Sequence, residues 1–433
     1  MYRNICFGLT VVLALICFGL ERTSAESVDC NMCHPDLSGK KTVHAAVSMG
    51  CTGCHTGLNA SEMPHKVIGK VKKGLSSDQP ELCYGCHDKG MFTKKNIHAA
   101  LFMGCTSCHN PHSTDAGKLL STDQPDLCFN CHDKSKFGGK SIHSPVGGGS
   151  CTSCHNPHSS DNAKLLLSEA PDLCFNCHDK TKFENKSIHP PVAGGMCLSC
   201  HKPHSSANEK LLIAEAPDLC LSCHDKKIVS GMKNVHPPVA GGMCSSCHAP
   251  HASKEQKLLL KEGVDLCLKC HNKAKLKKAK VMHAPVAGGM CSSCHLPHQS
   301  DNAKLLMADR PDLCFNCHDK AAFEKKNVHP PVAGGMCASC HAPHSSKRKA
   351  LLKHSVLKTC LSCHPHVKTS PHATGAFTQK GHPLSTKKMV TINDKKQRLS
   401  CVSCHNPHSS DAMRLFQFNA ASPQQLCSFC HKK

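Results

Sequence analysis

The chain lacks tryptophan, has two tyrosines, and is only 4% aromatic over 433 residues. So few large rings exclude an ordinary side-chain core and leave little to stack on nucleic-acid bases. Outside the first 25 residues no apolar run is long enough to cross a bilayer. Cysteine is plentiful, yet Cys6 and Cys17 are the only ones of the 36 outside a single recurring triplet. Both lie in the leader, so no mature cysteine is left over for a disulfide or a nucleophile.

The opening residues read as a secretory leader. Arg3 gives a weak positive start, Phe7 to Leu20 is apolar, and Thr23-Ser24-Ala25 offers small residues for cleavage before Glu26. An uncleaved anchor is the alternative. The expected mature protein is soluble and exported, to the periplasm or the cell exterior. A net charge of +22 invites a nucleic-acid reading. Lysine is scattered with no dense basic tract, so no nucleic-acid partner is expected.

The triplet is C-x-x-C-H, and it occurs seventeen times. Its first cysteines are Cys30, Cys51, Cys83, Cys105, Cys128, Cys151, Cys174, Cys197, Cys220, Cys244, Cys267, Cys291, Cys314, Cys337, Cys360, Cys401 and Cys427. Its second cysteines are Cys33, Cys54, Cys86, Cys108, Cys131, Cys154, Cys177, Cys200, Cys223, Cys247, Cys270, Cys294, Cys317, Cys340, Cys363, Cys404 and Cys430. Two thiols three positions apart lie on one side of a helical turn and can add to the two vinyl groups of one haem. The next residue then lies under the iron as the proximal ligand. Those residues are His34, His55, His87, His109, His132, His155, His178, His201, His224, His248, His271, His295, His318, His341, His364, His405 and His431. Zinc is the main competitor, because nineteen residues separate Cys154 from Cys174, as in a paired zinc ribbon. Zinc does not account for histidine after every second cysteine, and a disulfide scaffold would not need it. Seventeen haems c, each with iron, are expected; no catalytic residue is assigned.

Nineteen histidines remain for the second axial positions. One set lies seven or eight residues before a motif: His44, His98, His143, His189, His236, His283 and His329. A second follows a motif as C-H-x-P-H: His112, His158, His204, His251, His298, His344 and His408. His65 and His382 look like displaced members, and His354, His366 and His372 are left for the seventeenth iron. In C-H-x-P-H the second imidazole emerges on the proximal side of its own haem, so it is expected to cap a neighbouring iron. Two imidazoles close an iron to small molecules, which favours electron transfer. Met196, Met243, Met290, Met336 and Met413 are read as packing residues. With both propionates ionised, seventeen haems bring the mature charge to roughly +4 oxidised and roughly −13 reduced, so the lysines read as propionate counter-ions.

The motifs come in pairs. CTSCHNPHSTDAGKLLSTDQPDLCFNCHDK from Cys105 returns from Cys151, Cys197, Cys244, Cys291 and Cys337 with a period of 46 or 47 residues. Cys51 to His87 and Cys401 to His431 are divergent copies, and the motif at Cys30 stands alone. The C-x-x-C-H-x-P-H-S-S run, the Leu-Leu pair and the closing P-D-L-C-x-x-C-H resemble the doubled-CXXCH family of multihaem c-type cytochromes. That resemblance implies respiratory electron transfer in the bacterial periplasm, outer membrane or beyond. The first repeat departs from the pattern, since Thr-Gly-Leu follows His55.

The expected organisation is a signal peptide (1–25), a single-haem segment (26–50), a divergent two-haem repeat (51–100), tandem repeats (101–364), an insertion (365–400) and a C-terminal two-haem repeat (401–433). The expected fold is mostly irregular with short α-helices and almost no sheet, an elongated tandem array whose haems form the core. Pro171-Asp172 and Pro311-Asp312 predict helical starts with proline first. Pro190-Pro191 and Gly194-Gly195 predict extended chain and turns. Met389 to Ile392 and Lys395 to Leu399 could form a hairpin. Without haem the chain is not expected to fold.

Three functions compete. The first is an electron conduit in anaerobic respiration or extracellular electron transfer, exchanging electrons with other cytochromes or an outer-membrane porin-cytochrome complex. The second is a reductase, which needs an open iron; no C-x-x-C-K occurs. The third is an oligomer or filament of protomers.

Overall fold

A computed structural model describes residues 29–272, 279–369, 389–392, 395–420 and 422–429. The leader, His372, His382, Cys430 and His431 lie outside the described residues, as do Asn393 and Asp394. Two compact bodies are formed. One comprises Met1–Gly138 with His143–Glu169, the other Gly139–Ile142 with Ala170–Lys433.

Within each body the secondary structure is short and repeats with the sequence. First motifs mostly sit on a 3₁₀ turn such as Cys105–Ser107 or Cys197–Ser199. Second motifs begin inside one α turn, as in Asp126–Phe129, Asp172–Phe175 and Asp312–Phe315. Proline precedes these turns as the cap and the acid takes the first helical position, one place later than the sequence suggested. The acid still faces the positive end of the helix.

The Pro-Pro segments are a correction. Pro190–Ala193, Pro237–Ala240 and Pro330–Ala333 are helical turns rather than extended chain. Proline fits the first turn of a helix because the N–H it lacks has no partner there. The extended residue is the histidine before them, His189 at φ −63° and ψ 129°. The turn expected at Gly194-Gly195 is present. Gly195 has φ +68°, and a Cβ there would stand 2.7 Å from Pro171 Cδ.

The sheet also differs from expectation in kind. Two-residue antiparallel strands recur, and nearly all of them join segments far apart in sequence. Asn96–Ile97 pairs with Ser159–Ser160, Ser187–Ile188 with Ala252–Ser253, and Asn327–Val328 with Ser409–Ser410. Two residues carry no period-2 pattern to read in advance. The hairpin is as expected, Met389–Ile392 against Lys395–Arg398.

Side chains build almost no core. The buried apolar residues among those described are Ala116, Leu399, Ala412, Phe416 and Ala420. Serines are buried instead, with Ser113, Ser159, Ser300 and Ser409 fully so. Among the described residues no helix is long and apolar enough to cross a membrane.

Candidate haem-binding sites

Each of the sixteen C-x-x-C-H motifs that lie wholly among the described residues closes on itself. The histidine N–H donates to the first cysteine's carbonyl, 2.9 Å at His132 and 3.0 Å at His109. That turn puts two thiols and an imidazole at one end of a tight loop. The geometry fits a haem held by two thioethers above a ligating ring.

The remaining imidazoles come to these rings one by one. Thirteen motif histidines face one further histidine with ring centres 5.9 to 6.1 Å apart. Two imidazoles on opposite sides of one iron need about 6 Å, from two metal–nitrogen bonds of about 2 Å and about 1 Å from each nitrogen to its ring centre. Direct ring stacking would be much closer.

The pairing follows two rules. A histidine ahead of a repeat faces that repeat's second motif: His44 faces His87, His98 faces His132, His189 faces His224, His236 faces His271, His283 faces His318 and His329 faces His364. A C-H-x-P-H histidine faces the first motif of the repeat before its own. His112 faces His55, His158 faces His109, His251 faces His201, His298 faces His248, His344 faces His295 and His408 faces His341. His65, irregular in the sequence, faces His34 of the lone motif.

The two-residue strands explain both rules. They end on the facing histidines, and the N–H of His98 donates to the carbonyl of His158 at 2.8 Å. The same bond joins His44 to His112, His189 to His251, His236 to His298, His283 to His344 and His329 to His408. One clip, made from the start of one repeat and the C-H-x-P-H of the next, therefore presents both outer rings to one repeat. The insertion after His366 leaves the last clip intact, because Ser409–Ser410 still pairs with Asn327–Val328.

Each facing pair in these repeats has one ring tied to a backbone carbonyl. In first motifs it is the motif histidine. Nδ1 of His55, His109, His201, His248, His295 and His341 lies 2.7 to 3.0 Å from the carbonyl of Lys73, Lys118, Lys210, Lys257, Lys304 and Ala350 respectively. His155 meets Lys164 in the same way, and His405 meets Arg414. These acceptors sit at φ 51–60°, and in all but the first repeat a leucine at positive φ follows. The leucine's carbonyl takes the next N–H, Asn156 to Leu165 at 2.7 Å. In second-motif sites the outer ring is tied instead. Nδ1 of His44, His98, His189, His236, His283 and His329 lies 2.8 to 3.1 Å from the proline carbonyl of the C-H-x-P-H across the clip. Such bonds fix the tautomer and aim the other nitrogen. Sequence reasoning missed both acceptors; the regular Lys-Leu-Leu and the proline of C-H-x-P-H were the available signals.

The C-H-x-P-H rings are the half-buried ones. Burial first, then the facing motif histidine, lowers the pKa of His112, His158, His251, His298, His344 and His408. A neutral imidazole is the form that ligates a metal. Thiols shift the other way. Burial and then the Cys105 thiol push Cys83 up to about 11, and burial with Cys151 does the same for Cys128. Cys267 and Cys314 are raised to about 11 beside Cys291 and Cys337. Thus the first cysteine of a second motif lies against the first cysteine of the next repeat.

Other expected ligands are placed differently. His405 has Phe416 5.2 Å away, and no described histidine ring faces it. His366 stands 5.9 Å from His364, edge-on, where His329 already faces that ring. His354 is exposed. His143 caps the helical turn Ser144–Gly147, and His178 closes the Cys174 turn at 2.9 Å. His204 follows Pro203 in its C-H-x-P-H, ahead of the strand Ser205–Ser206. Among the described residues no group of three or more His, Cys, Asp or Glu side chains could hold a bare metal ion. The ion pairs found, Lys180–Glu184 among them, are all exposed.

A family described as doubled CXXCH motif matches the chain eight times, over residues 44–92, 98–137, 143–183, 189–229, 236–276, 283–323, 329–369 and 394–433. Every match begins at or before an outer histidine or the C-terminal motif pair and takes in two C-x-x-C-H triplets. The Cys30 motif lies outside all eight. No curated protein matches the chain.

Proposed function

The chain belongs to the doubled CXXCH motif family, a multihaem cytochrome c motif, and from that premise we propose that it binds seventeen haems c and conducts electrons between redox partners. The observation that carries this is the set of thirteen imidazole pairs spaced for one iron each.

The cysteines of each triplet hold the porphyrin by thioether bonds, and the following histidine is the proximal ligand. The clip histidines His44, His98, His189, His236, His283 and His329, with His112, His158, His251, His298, His344 and His408, supply the second ligand where they face a motif ring. His65 does so for His34. His143 and His204 occupy the same places in their own repeat and take the same role. When bound, haem iron supplies a one-electron couple between ferric and ferrous states. Two imidazoles on one iron would leave it no free position for a substrate, which is why an electron carrier fits better than a reductase. Neutral outer rings favour ligation.

Lysines scattered along the chain offset propionate charge. The expected covalent haem attachment and the expected leader support a location outside the cytoplasm, in the periplasm or beyond it. Partners of matching chemistry are other cytochromes or an outer-membrane porin-cytochrome complex, in anaerobic respiration or extracellular electron transfer. Assembly of protomers into an oligomer or filament is a further part of this reading.

The test is the haem-to-protein ratio of the purified mature protein, read from the alkaline pyridine spectrum against amino-acid analysis. Seventeen haems per chain is the expected value. A colourless, zinc-containing protein would end the proposal.

A further inference from the structure

Four second motifs carry an aromatic ring after their first cysteine, Tyr84, Phe129, Phe175 and Phe315, with a phenylalanine eight residues on. The two rings lie 5.6 Å apart in all four places. Three of the later phenylalanines reach a C-H-x-P-H histidine two repeats further along. Phe92 is 4.9 Å from His158 at 58°, Phe183 is 5.1 Å from His251 at 56°, and Phe323 is 5.0 Å from His408 at 57°. That is tilted aromatic packing with a fixed angle.

The turns bearing these phenylalanines are themselves pinned. Asp88, Asp179 and Asp319 cap them by accepting from Gly90, Thr181 and Ala321 N–H groups. Ser159 Oγ donates to Met91 O at 2.9 Å, and Ser409 Oγ to Ala322 O at 2.9 Å. In each case the serine follows the histidine that the ring touches.

The twist between facing imidazoles is nearly constant where this contact is made. It is 31° at His109–His158, 32° at His201–His251 and 29° at His341–His408. Where no described phenylalanine touches the outer ring it ranges from 19° at His55–His112 through 34° at His295–His344 to 43° at His248–His298. For His298 the two aromatic positions hold Leu221 and Val229.

We infer that Phe92, Phe183 and Phe323 are positioning residues that set the plane of the outer imidazole at three of the first-motif sites; this rests on the two-imidazole reading of those sites. An imidazole bound by one nitrogen can rotate about the metal–nitrogen bond, and the C-H-x-P-H ring has no carbonyl tie among the described residues to stop it. The phenylalanine edge stops it. The angle between two axial ring planes governs how the ferric d orbitals split, so it is readable in the low-spin resonance spectrum. It is also one of the outer-shell levers on reduction potential.

The experiment compares oxidised full-length holoprotein with the variant Phe92→Val, Phe183→Val, Phe323→Val by electron paramagnetic resonance. Valine is the residue the chain itself places at position 229. The expected result is an unchanged haem count, with three haems' worth of low-spin intensity leaving a narrow band of g values and spreading. The reverse variant, Leu221→Phe with Val229→Phe, should draw one haem's worth into that band. An unaltered spectrum in either fully haem-loaded variant overturns the inference. Should the triple variant lose haem, the reverse variant decides alone. Absence of low-spin signals from the parent protein would instead sink the two-imidazole reading.

Discussion

First-motif and second-motif sites present the same ring spacing by opposite means. At His201 the motif ring is held by the Lys210 carbonyl, and the outer ring, His251, is half-buried and tied to no backbone carbonyl. At His224 the outer ring, His189, is held by the Pro250 carbonyl, and no such bond is found for the motif ring. Ring twists are mostly larger at first-motif sites, 19–43° against 11–21° at second-motif sites of the repeats, with the ranges meeting at His55 and His364. One fixed ring per pair is enough to locate an iron. The other ring is then available for adjustment, which is where repeats of nearly identical sequence can diverge in their iron properties.

The largest effects come from breaking the clip on one side. His251→Ala should open the iron at His201 and leave that at His224 closed; His189→Ala should do the reverse. Each is expected to convert one haem per chain to high spin, measured by resonance Raman or electron paramagnetic resonance. If either variant opened the iron of its own repeat's first motif, the cross-repeat assignment would be wrong.

Acid should sharpen the comparison next. Burial holds the C-H-x-P-H imidazoles below the ordinary histidine value of about 6.5. An unfolded chain takes up these protons first, so their contribution to stability is complete above about pH 6.5 and is lost as pH falls through the lowered folded values. The melting temperature of the holoprotein should therefore drop on acidification below neutrality. A melting temperature flat from pH 7 to pH 5 would contradict the neutral, ligating form of these rings in the folded holoprotein.

Smaller effects test the backbone ties. A left-handed non-glycine residue costs roughly 1–2 kcal/mol. Lys210→Ile adds a β-branch at φ 54° and should destabilise by a further 1 kcal/mol or about that, while Lys210→Gly should be close to neutral. Denaturant unfolding monitored at the haem band measures both. An effect of similar size is expected from Ser159→Ala, which deprives Met91 O of its bond from a fully buried hydroxyl and should cost about 1 kcal/mol in the same assay.

Much of this was legible in the sequence because covalent chemistry writes itself in fixed spacings. The triplets, the two families of outer histidine and the paired repeat follow from residue identity. That a C-H-x-P-H histidine serves another iron followed from His109 and His112 sharing one side of a turn. Which iron it serves was not legible, since His98 and His158 meet through two-residue strands 62 positions apart. No local pattern marks so short a pairing. Lys164-Leu165 was missed for another reason: propensity argues against two left-handed non-glycine residues, and only the demand of His155 for an acceptor explains them. Pro190-Pro191 was read as a breaker because position within the first helical turn cannot be seen before the turn is located.

The central claim is that each iron is gripped between its own motif's imidazole and one delivered by a clip. Quantitative electron paramagnetic resonance of the fully oxidised mature protein tests it most directly. Low-spin ferric intensity from at least thirteen haems per chain is the predicted result. Predominantly high-spin iron in a fully haem-loaded protein would contradict it.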